Sequence, residues 1–147
     1  METLAKELAK ELRGGQVIGL VGELGSGKTT FVQFLAKALG VKEKVNSPTF
    51  VLMKIYQIPG NNKQTNFKLP IPKIKQFIHV DAYRLNSAEE LENIGLRDYL
   101  NCLDTLVVIE WADKVKEILS DNSLIFNFFY GQTDEERSIT VLNKPEA

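Results

Sequence analysis

The chain of 147 residues has the length of one domain, and its 44% hydrophobic content is enough for one sizeable core. Lys and Arg number 18 against 19 Asp and Glu, so the formal charge of −1 excludes a global basic field that holds nucleic acid unaided. With Cys102 as its single cysteine, the chain cannot form an internal disulfide. The sequence contains no run of about 18 apolar residues, so no membrane span is predicted. We expect one domain over residues 1–147, in the cytoplasm, without a membrane contact or an export signal.

The first part of the chain predicts the order helix, strand, loop, helix, strand. Leucines recur at the spacing of one helical face between residues 4 and 12, and a glycine pair ends that helix. QVIGLV at 16–21 is typical of a strand and leads into a glycine-rich turn. A second helical pattern follows and stops at Gly40, and residues 50–56 then predict a strand.

The connection after this strand is unusual in composition. Residues 57–75 carry three prolines and no acidic side chain, which predicts a long loop. Residues 54–75 also hold five lysines, namely Lys54, Lys63, Lys68, Lys73 and Lys75. A solvated loop is favoured over a contact with RNA or a partner protein.

The rest of the chain predicts strands separated by short helices. QFIHVD at 76–81 and TLVVIE at 105–110 are strand-like, and Ser87 with Glu90 matches a capping box that opens a short helix. A helix is expected near 112–119. The runs at 123–130 and 138–142 predict a closing hairpin.

This alternation predicts an α/β fold. We expect three layers, with a mostly parallel central sheet, helices on both of its faces and the C-terminal β-hairpin at an edge.

The glycine-rich turn carries the strongest functional pattern. GELGSGKT at residues 22–29 matches the phosphate-loop pattern GxxxxGK[ST] and lies between a predicted strand and a predicted helix. A plain glycine-rich connector is the alternative, but the Lys-Thr pair favours a phosphate site, with Lys28 on the outer phosphates and Thr29 on magnesium. The candidate nucleotide-binding residues here are Glu23, Leu24, Gly25, Ser26, Gly27, Lys28, Thr29 and Thr30.

A magnesium nucleotide also needs a carboxylate at the end of a neighbouring strand, and Glu110 closes the apolar run TLVVIE. The alternative is that Glu110 only marks where the strand reaches water. Asp81 ends another strand, where it orders the attacking water or a metal-bound water; a helix cap or a salt bridge with Arg84 is equally compatible with the sequence.

We consider three more residues for a role in the site. Thr49 lies in the rigid extended segment SPTF, where nucleotide-sensing threonines often occur. Trp111 follows Glu110 and belongs either to the core or to the mouth of a nucleotide site. His79 is assigned no chemical role, because a lone histidine is more often structural.

Several segments together resemble one family. GELGSGKTTF, NSPTF, HVDAYRL, EELENIGLRDYL and VIEWADK occur in the order and spacing seen in TsaE proteins, the P-loop ATPases of tRNA threonylcarbamoyladenosine biosynthesis. The resemblance spans residues 8–142. It implies a P-loop NTPase fold and an ATP hydrolase with Mg²⁺ that is weak alone. It also implies two partners, a tRNA-modifying carbamoyltransferase subunit and its inactive paralogue, with tRNA reached only through that complex.

The resemblance also implies roles for individual positions. Lys28 binds phosphates, Thr29 and Glu110 hold magnesium, and Thr49, Asp81 and Trp111 serve hydrolysis or couple the nucleotide state to the partners. The implied catalytic residues are therefore Lys28, Thr49, Asp81 and Glu110. This chain departs from the family at Glu23, where Asp is more common, and in its longer connection at 57–75.

Two other functions compete with the ATP hydrolase. A small GTPase-like switch is suggested by residues 143–146, NKPE, but the guanine-reading pattern NKxD requires Asp as its last residue. A nucleotide-gated assembly module, in which hydrolysis is incidental, remains open.

Overall fold

The computed structural model describes residues 1–48, 50–59 and 74–143. These residues form one six-stranded sheet with the strand order β2-β3-β4-β1-β5-β6. The strands are β1 (Val17–Gly22), β2 (Met53–Gln57), β3 (Gln76–Asp81), β4 (Thr105–Glu110), β5 (Leu124–Tyr130) and β6 (Arg137–Asn143).

The centre of the sheet is parallel and both of its edges are antiparallel. Strands β3, β4, β1 and β5 pair in parallel, while β6 pairs antiparallel with β5 and β2 antiparallel with β3. The predicted mostly parallel sheet and its C-terminal hairpin edge are confirmed. The antiparallel β2 edge was not predicted. Parallel neighbouring strands need a long crossover, usually a helix, and the sequence between β2 and β3 has no helical pattern.

Helices cover both faces, as the sequence predicted. Helices α1 (Glu2–Glu11) and α2 (Lys28–Leu39) pack together over one face, and α3 (Glu89–Asn93) lies over the other with the 3₁₀ segments Leu96–Asp98 and Ala112–Ile118. Strand side chains alternate between the two cores: Leu106 and Val108 face α2, whereas Val107 and Ile109 face the 3₁₀ segments. No helix in the described ranges has both the length and the apolar character to cross a bilayer.

Two local predictions were wrong, and a third was right in position but not in the type of helix. Residues 50–52 form a turn rather than the start of β2, because Leu52 has a φ of +66° and its N–H donates to the Pro48 carbonyl. Ser87 does not cap α3, whose N-cap is Ala88 without a side-chain bond. The helix expected near 112–119 is present as the 3₁₀ segment Ala112–Ile118, which is kinked at Val115, where the dihedral angles are −134° and 42°.

The parallel strands bring the candidate site together. Asp81 and Glu110 are the last residues of β3 and β4 and are paired in register, and Leu20 of β1 pairs with Glu110 on the other side. Since the carboxyl ends of parallel strands meet at one edge, both carboxylates lie beside the loop that follows β1.

Candidate nucleotide site

The loop between β1 and α2 has a backbone that depends on glycine. Gly25 and Gly27 have φ angles of +76° and +104°, in the left-handed region that glycine adopts without strain. Gly27 is also the N-cap of α2, and as glycine it has no side chain to accept a bond from the first N–H groups. The first N–H groups of the 12-residue helix α2 therefore remain available to an anion at this end.

Lys28 is buried beneath this loop. Its Nζ donates hydrogen bonds to the carbonyl oxygens of Gly22 at 2.7 Å and Glu23 at 2.8 Å, and lies 3.4 Å from Ser26 Oγ. Burial lowers the pKa of Lys28, and the negative charges of Glu110 and Asp81 act in the opposite direction. The loop thus encloses one cation that is only 4% exposed.

Glu110 joins the loop to the sheet. Thr29 Oγ1 donates to Glu110 Oε1 at 2.7 Å, and Nε2 of His79 lies 2.5 Å from Glu110 Oε2. Glu110 is only 2% exposed, so the alternative that it marks where β4 reaches water is wrong. A buried carboxylate with both oxygens hydrogen-bonded has a fixed orientation.

Asp81 lies beside this group and closes a local turn. Its Oδ2 accepts from Ser47 Oγ at 2.5 Å, and its Oδ1 accepts from the Tyr83 N–H at 2.9 Å. Arg84, the salt-bridge partner considered from the sequence, has its guanidinium carbon 4.7 Å from the centre of the Phe50 ring. The bond to Tyr83 closes the turn after β3, and the next helix begins only at Glu89, so the helix-cap alternative is wrong; a role for Asp81 in hydrolysis stays a prediction.

Trp111 lies at the mouth of the site rather than in the centre of the core. Its φ of +61° turns the chain sharply after β4. Lys28 Nζ is 4.1 Å from the centroid of its ring, and the Tyr83 ring centroid is 4.9 Å away on the rim. An aromatic face over a buried ammonium attracts the cation and excludes water from it.

A cavity of about 400 Å³ lies where these elements meet. From the loop and α2 it is lined by the predicted residues Leu24, Gly25, Gly27, Lys28, Thr29 and Thr30. From the strand ends it is lined by the predicted residues Asp81, Glu110 and Trp111. A larger cavity, of about 580 Å³, lies at the opposite end of the sheet and holds none of the phosphate-loop residues.

Three of the predicted residues are not part of this lining. Ser26 is wholly buried under the loop, and Glu23 contributes its backbone carbonyl to Lys28. Thr49 falls outside the described residues, and so does the part of the predicted long loop between residues 60 and 73.

Three residues at the site were not among the predicted site residues, namely His79, Ser47 and Tyr83, and Tyr83 lies in the cavity lining. His79 holds Glu110, and Ser47 holds Asp81 and also lines the cavity. The alternation His79-Val80-Asp81 at a strand end was a usable signal for His79, since it places both side chains on the face that carries Glu110.

The residues present fit a magnesium ion that arrives with a nucleotide. Thr29 and Glu110 offer hard oxygen atoms side by side, the ligands that Mg²⁺ prefers. Within the described ranges no group of three His, Cys, Asp or Glu side chains is arranged to hold a metal ion. This suits Mg²⁺, which is commonly held by one or two protein ligands plus phosphates and water.

Comparisons of this chain with known proteins point to one family. The model of the family described as "Threonylcarbamoyl adenosine biosynthesis protein TsaE" matches residues 1–139. A TsaE protein of Streptomyces coelicolor is 38% identical, covering 96% of this chain and 88% of that protein, and one of Haemophilus influenzae is 35% identical over 86% and 69%.

A solved structure agrees with this result. The crystal structure of Bacillus subtilis YdiB superposes with a TM-score of 0.64 at 28% identity, covering 95% of this chain and 76% of that chain. Its likeness is consistent with the P-loop NTPase fold expected from the loop and the sheet order. A family match over nearly the whole chain, with relatives above 30% identity, means that this chain belongs to the TsaE family.

Proposed function

We propose that this chain is a Mg²⁺-dependent ATPase that supports the N6-threonylcarbamoyladenosine modification of tRNA, at the adenosine adjacent to the anticodon. The family assignment supports the pathway. The observation that carries the ATPase proposal is the convergence of Lys28, Thr29 and Glu110 at one cavity. We further propose that the chain acts as one domain in the cytoplasm.

Phosphate binding follows from the shape and charge of the loop. The N-terminus of α2 and the glycine backbone direct N–H groups at the cavity, and Lys28 adds a full positive charge. Thr30 lies in the first turn of α2 and lines the same cavity. A polyphosphate therefore replaces water at a place where donors and charge are already arranged.

Thr29 and Glu110 are the proposed magnesium ligands, with Glu110 acting directly or through a water. When bound, the ion would supply positive charge that stabilises the phosphates during hydrolysis. The protein's own contribution is to hold the two oxygen ligands 2.7 Å apart and to keep Glu110 away from bulk water.

Asp81 is the proposed residue that orders the attacking water. It is 5% exposed, lines the cavity and is held by Ser47 and by the Tyr83 amide. A carboxylate fixed in this way accepts a proton or a hydrogen bond from water without reorganising. Thr49 follows Ser47 by two residues and is proposed to act in hydrolysis or in nucleotide sensing.

The proposed partners are a carbamoyltransferase subunit and its inactive paralogue. Large apolar side chains lie exposed in the segments that contribute to the cavity: Leu24, which lines it, is 69% exposed, and Phe50 and Val51, which follow the lining residue Ser47 in sequence, are 84% and 65% exposed. This observation also favours the second candidate, a nucleotide-gated assembly module whose hydrolysis is incidental, because a partner that covers these side chains meets the nucleotide site.

Two measurements separate these functions. A pull-down with ATP and Mg²⁺ is expected to recover the two carbamoyltransferase-type subunits. Steady-state ATP hydrolysis is expected to rise when purified subunits are added. Binding without any rise in hydrolysis supports the assembly module, and hydrolysis of GTP in preference to ATP contradicts both proposals in favour of a GTPase-like switch.

We predict that the hydrogen bond from His79 to Glu110 is needed for hydrolysis. Replacing His79 by Leu removes the donor to Glu110 Oε2, and we expect turnover to fall roughly 10- to 100-fold, the usual effect of losing a group that orients a metal ligand. His79→Gln places an amide N–H near the position of Nε2 and is expected to retain most of the activity.

The measurement is ATP turnover together with ATP affinity for both variants. Affinity should change little, since His79 does not line the cavity. Equal losses of turnover in the Leu and Gln variants would mean that the imidazole ring matters for packing rather than for holding Glu110.

A further inference from the structure

We propose that the hairpin of β5 and β6 is a brace that holds the phosphate loop in its binding shape through Tyr130 and Arg137. Both are positioning residues, since they contact the loop from outside and do not line the cavity. The inference rests on the proposed function in taking the loop's ligand to be a nucleotide.

The hairpin holds two successive carbonyl groups of the loop. The Tyr130 hydroxyl donates a hydrogen bond to the Leu24 carbonyl oxygen. Nη2 of Arg137 donates to the Gly25 carbonyl oxygen at 3.3 Å. These contacts join residues more than 100 positions apart in sequence, so the fold and not local preference creates them.

Tyr130 and Arg137 form one unit. They are directly opposite each other in the β5–β6 register, and the Arg137 guanidinium carbon lies 4.9 Å from the centre of the Tyr130 ring. Arg137 Nη1 also donates to the carbonyl oxygens of Asp134 at 2.7 Å and Glu136 at 2.8 Å within the hairpin. The guanidinium is thereby oriented by its own hairpin before it reaches the loop.

These bonds determine where the loop's N–H groups point. In a trans peptide unit the C=O and the following N–H point in opposite directions. Holding the Leu24 carbonyl outward therefore turns the Gly25 N–H away from the hairpin, toward the cavity that Gly25 lines. Holding the Gly25 carbonyl fixes the next peptide, whose Ser26 N–H donates to the Glu23 carbonyl at 3.1 Å.

The brace complements the inner contacts of Lys28. Lys28 holds the carbonyls of Gly22 and Glu23 from inside, and the hairpin holds the next two from outside. Four successive carbonyl groups of the loop are thus anchored.

The approach of the hairpin is close. A Cβ on Gly25 would lie 3.1 Å from the Tyr130 hydroxyl oxygen, so a larger residue there would push the brace away. A loop held in this way loses little conformational entropy when a polyphosphate binds.

The test uses Tyr130→Phe and Arg137→Gln in the full chain. Hydrogen exchange of the amides of residues 22–28, measured without nucleotide, is expected to become faster in both variants. Dissociation constants for ATP and for ADP are expected to rise roughly 3- to 10-fold, the range of one net hydrogen bond. The midpoint of thermal unfolding should stay close to that of the parent protein, since both side chains lie on the surface.

Tyr99→Phe and Arg97→Gln are the matched controls. Arg97 pairs with Glu92, and Tyr99 packs against the core on the face opposite α2. Unchanged exchange in the Tyr130 and Arg137 variants would overturn the brace, whether or not the parent protein binds ATP. A loss of affinity for Arg137→Gln alone, with Tyr130→Phe like the parent, would also overturn it, since that pattern indicates a direct charge effect. Failure of the parent protein to bind ATP would instead refute the proposed function.

Discussion

Lys28→Ala is expected to abolish productive ATP binding, with a loss of affinity of about 100-fold or more. Lys28 Nζ is a buried cation beside the cavity, and a charge-assisted hydrogen bond contributes about 1.5–3 kcal/mol. The substitution also releases the carbonyls of Gly22 and Glu23, which loosens the loop itself. Calorimetry measures the affinity, and the emission of Trp111, the single tryptophan and part of the cavity lining, is a second readout of occupancy.

Lys37→Ala is the matched control for this prediction. Lys37 lies in the last turn of the same helix and is exposed, so its loss should leave ATP affinity unchanged. If Lys28→Ala bound ATP as tightly as the parent protein, the loop would not be the phosphate-binding site.

Glu110→Gln is expected to abolish hydrolysis while sparing most of the ATP binding. The amide keeps the size of the side chain but removes the negative charge that a metal ion and its water require. A fall in turnover of about 100- to 1,000-fold is expected, in line with the loss of one arranged electrostatic group. Binding should change only a few-fold, because the phosphates are held by the loop and by Lys28.

The matched control is Glu117→Gln, an exposed acid in the 3₁₀ segment that follows β4. It should hydrolyse ATP like the parent protein. Normal turnover by Glu110→Gln would exclude Glu110 from the mechanism, and equal losses of binding and turnover would indicate that it acts only in folding.

Much of the fold was accessible from the sequence because local patterns and the tertiary structure agree. The apolar run of β4 and the glycine-bounded helix α2 were both predicted, since each buries the side chains that its periodicity indicates. The start of β2 was wrong because Leu52 adopts a positive φ, which its side chain does not reveal. The antiparallel pairing of β2 depends on its partner strand, which lies beyond a long connection.

The candidate site was predictable where a sequence pattern or an acid at a strand end marks it, as at Glu110, and not where only a tertiary contact defines the role. The loop residues 22–29 form one pattern, so they were found together. His79 escaped because its role depends on the neighbouring strand, where Glu110 lies 31 residues later. Tyr130 and Arg137 escaped for the same reason: strand pairing alone brings the hairpin to the loop.

The site forms a single hydrogen-bonded connection from the loop to the centre of the sheet. Thr29 of α2 is joined to Glu110 of β4, and Glu110 to His79 of β3. Because His79 is fully buried, this connection has little freedom to move.

The most direct measurement is a crystal structure with Mg²⁺ and a non-hydrolysable ATP analogue. We expect the phosphates against the amides of Gly25 and residues 27–29, the Lys28 ammonium beside them, and the metal ion between the phosphates and the oxygen atoms of Thr29 and Glu110. A nucleotide bound in another part of the molecule, or a Glu110 side chain turned away from the metal ion, would contradict this expectation.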